Sequence, residues 1–325
     1  MVETVTLDEL DRQVLQALQL SGRASFRLIG QVLGVSENTV ARRYRNLCTL
    51  GLRTVARPVP ARLGHTEWIL RIQVTPDAAA PLAAALARLP EAGYVSIGGA
   101  GTEIHCGITA PDTEENDAPV LPSLHRMKRV IGINAHCLLH VYDGDPPVWA
   151  TKRHPLAPEQ RAALAPPASR AVDPDAEPVS LDEADRSLIA ALAEDARATY
   201  PQLATTTGLA NTTAKRRVDR LLTEGVVLVC TEFPPRHLGY RLMSYLWLRV
   251  DPARLDQVGS ALAGHTPISF AAAVTGPHNM VATAITRNTG ELYRYLAESV
   301  GTLPGVQNVE TAPELRQVKR LGHWA

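Results

Sequence analysis

Aromatic, sulfur-bearing and lysine side chains are all scarce in this chain. Aromatic residues make up 5% of its 325 positions, which argues against a base-stacking platform of the kind that holds single strands. Only Lys128, Lys152, Lys215 and Lys319 supply lysine, so the basic character is arginine, which alone is weak evidence for phosphate contacts. The four cysteines, Cys48, Cys106, Cys137 and Cys230, form no C-x-x-C and no zinc spacing. Cys48 falls in a helical pattern and the others in apolar runs, so buried free thiols in a reducing compartment are expected. No uncharged apolar run is long enough to span a membrane. The start, MVETVTLDELDR, is acidic and lacks an apolar signal core. A cytoplasmic protein is the expectation. An excess of either charge is also missing: 33 basic residues meet 33 acidic ones. That excludes a wholly basic histone-like protein and an acidic disordered tail, but not one basic face. A chain of this length, 45% hydrophobic, implies two or more domains.

What the chain does have is an internal repeat. LDELDRQVLQAL (Leu7–Leu18) returns as LDEADRSLIAAL (Leu181–Leu192), 174 residues later. An ungapped comparison of Leu7–Leu52 with Leu181–Val226 gives 16 identities in 46 positions. The likeness continues more faintly from RLGHTEWILRIQVTP to HLGYRLMSYLWLRVDP, and from GAGTEIHCGI to TGPHNMVATAI. A period this long means two copies of a whole module, not a solenoid. Between them, KRHPLAPEQRAALAPPASRAVDPDAEP is proline-rich and reads as a semi-rigid linker with one helical turn near Glu159–Leu164. The expected division is residues 1–60 and 61–150 for the two parts of copy one, 151–178 for the linker, and 179–235 and 236–325 for copy two.

The first part of each copy reads as three short helices. Thr6 with Glu9, and Ser180 with Glu183, have capping-box spacing. Leu7, Leu10, Val14, Leu15 and Leu18 recur at helical intervals, as do Leu181, Leu188, Ile189 and Leu192. A second helix should start at Ser25 and Thr199 and stop at Gly34 and Gly208. The third, Ser36–Leu50 and Ala210–Glu224, follows at once and ends at Gly51 and Gly225. That is a helix-turn-helix layout. Val40, Tyr44 and Leu47 share one face, as do Ala214, Val218 and Leu221. The other face presents short polar residues and then arginine, which suits a helix entering a major groove N-terminus first. The candidate DNA contacts are Ser36, Glu37, Asn38, Thr39, Arg42, Arg43 and Arg45 in copy one. In copy two they are Asn211, Thr212, Thr213, Lys215, Arg216, Arg217 and Arg220. Residues 1–60 carry eight Arg against five acids, whereas 179–235 carry six bases against eight acids. Copy two should therefore bind DNA more weakly. Leu52–Pro60 and Val226–Pro235 read as strands leaving each module, each a small wing.

The second part of each copy reads as βαββαβ, the split unit of ferredoxin-like folds. In copy one the elements are Glu67–Pro76, Ala78–Leu89, Tyr94–Ala100, Glu103–Thr109, Leu121–Arg129 and Ile133–Tyr142. In copy two they are Met243–Val250, Leu255–Ala263, Ser269–Val274, Met280–Thr286, Thr289–Val300 and Val306–Thr311. Such a sheet carries helices on one face, and its other face should seek the second copy. The fold class is therefore α+β: a tandem duplication of a (winged) helix-turn-helix domain plus a ferredoxin-like domain.

LDELDRQVLQAL with LGVSENTVARRYRNLCTLG, and LDEADRSLIAAL with TGLANTTAKRRVDRLLTEG, resemble the Lrp/AsnC (leucine-responsive/asparagine-operon) regulator family. The resemblance covers nearly the whole chain apart from the linker. It implies a transcriptional regulator that binds double-stranded DNA and has a sensing and assembly domain. Fusion of two copies implies a built-in pseudo-dimer, an asymmetric operator with one dominant half-site, and further association through the sensing domains. The resemblance also implies a small-molecule effector, an amino acid or related metabolite, near the loop before the third sensing strand. The matching residues are Gly101, Thr102 and Glu103, and Gly276, Pro277, His278 and Asn279; neither segment has the family's Asp in its usual place.

Other chemistry finds less support. His136 and His140 flank Cys137 at a helical metal spacing, but their segment reads as a strand, where such residues stand about 13 Å apart. His105-Cys106 is similar. No dinucleotide fingerprint, Walker loop, nucleophile elbow or H-E-x-x-H occurs, so neither cofactor, metal nor enzyme activity is expected. Two rivals are an interaction module that has lost DNA binding and an enzyme. Sirohaem decarboxylases resemble this regulator family and also come as paired or fused halves. Their candidates here are His105, Arg241 and His278, without that family's His- and Tyr-rich third strand.

Overall fold

A computed structural model describes residues 7–111, 129–143, 156–164, 177–320 and 323–324. Contacts divide the chain into two units, Met1–Arg62 with Asp145–Tyr240, and Leu63–Gly144 with Arg241–Ala325. Each unit thus takes one part from each copy.

In the first unit, copy one supplies α1 (Glu9–Leu20), α2 (Phe26–Leu33), α3 (Glu37–Thr49) and β1 (Arg53–Pro58). The linker supplies α5 (Pro158–Leu164). Copy two supplies α6 (Glu183–Glu194), α7 (Tyr200–Thr207), α8 (Asn211–Thr223) and β6 (Val227–Glu232). The expected caps at Ser25 and Thr199 form, and Ser36, expected as the first residue of the third helix, caps it, each side-chain oxygen accepting a backbone N–H of the first turn. Gly34 and Gly208 end the second helices at φ 69° and 70°, the left-handed turn between the two halves of the motif. The first-helix caps fall elsewhere than expected. Asp8 and Asp182 are the N-caps, with Asp11 and Asp185 at the third helical positions. A carboxylate at the positive end of a helix outcompetes the Ser180 hydroxyl two residues upstream; Thr6 lies outside the described residues. Val14, Leu18, Ile29, Val40 and Leu47 form the core of the first module, and Leu188, Leu192, Leu203, Ala214, Val218 and Leu221 that of the second.

Two further expectations change in this unit. The two exit strands are not wings: β1 and β6 pair antiparallel with each other, Arg53 opposite Glu232 through Pro58 opposite Val227. The linker also forms more than one turn. Leu156 and Leu164 are buried in the core of the first module, and Gln160 Nε2 donates to the Val32 carbonyl at 3.2 Å.

The second unit contains β2 (His65–Val74), α4 (Ala79–Ala87), β3 (Ala92–Gly98), β4 (Glu103–Pro111) and β5 (Val130–Asp143) from copy one. Copy two adds β7 (Leu242–Val250), α9 (Leu255–Gly264), β8 (Ile268–Val274), β9 (Met280–Thr286), α10 (Thr289–Tyr295, continued by a π turn to Val300), β10 (Val306–Arg320) and β11 (His323–Trp324). The expected copy-one helix at Leu121–Arg129 lies, but for Arg129, outside the described residues. Pairing follows β3-β4-β2-β5 in one copy and β8-β9-β7-β10 in the other, the ferredoxin-like order. Each copy's outer strand pairs with the other copy, β5 with β8 and β10 with β3, which closes eight strands into a ring. That is why β10 runs to Arg320 instead of stopping at Thr311: beyond Pro313 it leaves β7 and pairs with β3. Apolar residues between sheet and helices make one core in each copy, around Leu70, Ile72 and Ile104, and around Leu246, Leu248 and Met280. The opposite face joins Ile69 to Tyr245, Trp247, Ala272 and Val281, so each sheet covers the other, as expected. Of the four thiols, Cys106 and Cys230 are buried, but Cys48 is exposed and Cys137 half-buried.

Candidate functional site

The third helix of each module displays the sequence-derived DNA candidates, but in unequal states. In α3, Ser36 caps the helix and its hydroxyl lies 2.9 Å from that of Thr39. This leaves Glu37 and Asn38 as exposed first-turn side chains. Arg42 and Arg45 are exposed with no acidic partner among the described residues; Arg45 Nε donates only to its own helix at the Ala41 carbonyl. Arg43 is held differently: Nη1 lies 2.6 Å from Asp8 and 3.1 Å from Asp11. The residues that cap α1 thus also tie α3 to it. The Asp11 backbone N–H, then Arg43, keep the Asp8 carboxyl below its usual range.

In α8, Asn211 and Thr212 are exposed and Thr213 is half-buried. The arginine tie recurs, Arg217 Nη1 lying 2.8 Å from both Asp182 and Asp185, and a second cation joins it, Arg220 Nη2 at 2.5 Å from Asp185. Where copy one has Arg45, copy two has Asp219, which accepts from the Tyr200 hydroxyl at 2.8 Å and from Lys215 at 3.0 Å. Burial raises the Asp219 carboxyl, but Tyr200 and Lys215 outweigh it and hold it low. Arg216 alone among the basic candidates of α8 keeps no acidic partner among the described residues.

In the second unit, the two sensing segments converge on one ion-pair network. Gly99–Gly101 makes a tight turn with Ala100 in the left-handed region at φ 57°. Thr102 closes it by donating its hydroxyl to the Gly99 carbonyl. Glu103 then turns inward: its Oε1 accepts from Arg71 Nε at 2.6 Å and lies 3.2 Å from His105 Nε2. Arg71 also grips Glu310 with both terminal nitrogens, at 2.6 and 3.2 Å, and lies over the Trp247 ring at 4.8 Å. His278 Nε2 stands 3.7 Å from the same Glu310. Burial raises the Glu103 carboxyl, but His105 and Arg71 prevail and hold it at about 2. Asn279 is committed to backbone, bracketing Val250 N and O at 2.8 Å each. Gly276 (φ 110°) and Pro277 stay exposed.

The remaining candidates lie on β4, on β5 and at the start of β7. His136 and His140 lie on β5 as expected; His136 bonds the Thr275 carbonyl at 2.7 Å and packs on Trp247, and His140 packs on Tyr142. Among the described residues no group of three potential ligands is placed to hold a metal, and no helix is long and apolar enough to cross a membrane. His105 is buried, stacked 4.1 Å from Tyr245, while Arg241 is exposed at the start of β7.

Comparison with known proteins places this architecture. The AsnC-type helix-turn-helix domain matches residues 7–47 and 181–222, and the Lrp/AsnC ligand binding domain matches 244–323. The HTH-type transcriptional regulator FL11 of Pyrococcus abyssi is 32% identical over 142 residues, 43% of this chain and 93% of that protein. An uncharacterized HTH-type transcriptional regulator of the same organism is 30% identical over 146 residues, 45% of this chain and 92% of its own length. Among solved structures, the siroheme decarboxylase NirDL aligns over 96% of this chain and 92% of its own, with TM-score 0.66 and 13% identity. At that identity the likeness is one of fold. The fold and its two reading helices define a doubled helix-turn-helix protein with a paired sensing sheet. The chain belongs to the Lrp/AsnC family of transcriptional regulators, with two copies of the family's unit in tandem.

Arg71, Glu310, Arg23 and Arg197 were not singled out by sequence reasoning. For the last two a signal existed, because Arg-Ala recurs at the 174-residue offset.

Proposed function

We propose that this chain regulates transcription in the cytoplasm by reading an asymmetric operator, with copy one as the dominant reader. The observation that carries this is the inequality of the third helices. Among the described residues, Arg42 and Arg45 are exposed without acidic partners, whereas in α8 only Arg216 is so, Lys215, Arg217 and Arg220 being paired with aspartates. Arginines without partners can bridge guanine edges or phosphates; paired ones must first break an ion pair. Glu37, Asn38, Asn211 and Thr212 sit at helix starts, the part that reaches base edges. Ser36, Thr39 and Thr213 support those turns, and Arg43, Arg217 and Arg220 hold the reading helices in place. A small-molecule effector, an amino acid or related metabolite, would act on the sensing unit near Gly101–Glu103 and Gly276–Asn279, of which Glu103 and His278 share the Arg71–Glu310 pair. Further self-association would also use that unit. An enzyme on the fold shared with NirDL is the second reading: of its candidates, His105 and His278 border the Glu103–Arg71–Glu310 network, while Arg241 is exposed at the start of β7.

The test is selection of random duplexes by the full chain, followed by anisotropy. One enriched, non-palindromic site supports the reading. A palindrome would overturn the inequality of the readers, and no enrichment at low salt would overturn DNA reading.

A further inference from the structure

The segment between the copies is anchored to the reading modules at both of its described ends. At its start, Leu156 and Leu164 are 4% and 1% exposed in the core that holds Leu7, Val14 and Ile29. The face that receives α5 is built for it: copy one has Leu28 and Val32 where copy two, 174 residues on, has Gln202 and Thr206. At its end, Val179 N donates to the Arg62 carbonyl at 2.8 Å, and Arg62 Nη1 donates to the Glu177 carbonyl at 2.8 Å.

The two modules are also joined directly, by contacts that repeat across a pseudo-two-fold. Arg23 donates to the Ala196 and Ala198 carbonyls, and its counterpart Arg197 donates to those of Gly22 and Ala24. Arg197 lies over Phe26 at 4.7 Å and Arg23 over Tyr200 at 5.3 Å. Six residue pairs zip β1 to β6. Thr54 and Thr231 hydroxyls meet at 3.0 Å in the seam, and Thr231 donates to the Leu18 carbonyl. Gly22 is part of the fit, since a Cβ there would come within 2.5 Å of Val229.

From this we infer that the described parts of the inter-copy segment, residues 156–164 and 177–178, belong to the DNA-reading unit, and that the two unlike reading helices form one fixed pair. The partner this surface fits is a single duplex with two different half-sites at one spacing. A flexible tether would let each module find its half-site independently, at an effective concentration set by tether length. A hydrogen-bonded seam gives no such freedom, and half-site separation becomes a fixed dimension of the protein. The inference rests on the DNA-reading proposal for its partner, but not for the fixed pair itself.

Two experiments test it, both on the full chain. The first needs no DNA. Spin labels at Thr49→Cys and Thr223→Cys, equivalent exposed positions, are introduced with Cys48 and Cys137 changed to serine, and their distance distribution is measured. One narrow distance is expected, unchanged when a flexible Gly/Ser stretch is inserted between Leu164 and Glu177, and broadened by Arg23→Ala/Arg197→Ala. A broad distribution in the parent, or one that widens with the insertion, overturns the fixed pair. The second uses the selected duplex with a half-turn of about 5 base pairs inserted between half-sites. At least about a fivefold loss is expected, from the weaker reader leaving its groove, falling below about twofold in the Arg23→Ala/Arg197→Ala chain. A parent indifferent to spacing overturns the single-duplex partner. If no duplex is selected, the DNA-reading proposal fails and the distance measurement still decides the fixed pair.

Discussion

Replacing Glu103 with glutamine should destabilise the sensing unit by an amount that shrinks with falling pH. The side chain is 11% exposed and touches Arg71 at 2.6 Å. Its carboxyl is held at about 2 in the folded chain against an ordinary 4.5. A gap of about 2.5 units at 1.36 kcal/mol each gives roughly 3 kcal/mol. That agrees with the ~3–5 kcal/mol lost when one partner of a buried ion pair is removed. The folded value is depressed, so this stabilisation is complete above the ordinary carboxylate range and is lost as pH falls from 4.5 towards 2. The glutamine chain lacks it at every pH. Urea unfolding of parent and Glu103→Gln at pH 7, 5, 4 and 3, followed by tryptophan fluorescence, measures the difference; Trp68 and Trp247 both lie in this unit. The gap should be about 3 kcal/mol at pH 7 and close steadily below pH 4.5. A gap that is constant with pH, or below about 1 kcal/mol at neutrality, refutes the ion-pair argument.

Other substitutions probe the reading unit. Gly34→Ala and Gly208→Ala meet nothing within 4 Å, so each should cost only the left-handed backbone penalty, about 1–2 kcal/mol by denaturant melts. A larger loss would mean the added methyl had met something. Leu164→Ala should cost about 2–4 kcal/mol although it lies in the segment between copies, because the side chain is 1% exposed; a neutral result would show that α5 does not dock.

Much of this was legible in the sequence, and the reasons are local. Leucine spacing, the Ser25 and Thr199 caps and the Gly34 and Gly208 turns are signals contained within a few residues, and all appear where expected. The order of sensing strands was equally plain from alternation of apolar runs. Pairings between copies were not. Nothing in Leu52–Pro60 says that its strand partner lies beyond residue 226, and PELRQVK at the end of β10 looks too polar for a strand until β3 supplies its hydrogen bonds. The Arg71–Glu310 pair spans 239 residues, beyond any spacing rule. Among the reading-helix candidates, sequence fixed the face but could not separate Arg42 from Arg43. Which arginine is tied depends on Asp8 and Asp11 reaching across from α1.

The most direct test of the account is the salt dependence of DNA affinity for the parent, Arg42→Ala/Arg45→Ala, Arg216→Ala and Arg43→Ala. Each phosphate contact contributes about 0.9 to the slope of log affinity against log salt. The account predicts a salt-dependent parent and an Arg42→Ala/Arg45→Ala chain at least about tenfold weaker, with a slope smaller by about 1–2. Arg216→Ala should lose about 1 or less, and Arg43→Ala should keep the parental slope. Salt-independent binding by the parent, or an Arg42→Ala/Arg45→Ala chain that behaves like Arg43→Ala, would contradict it.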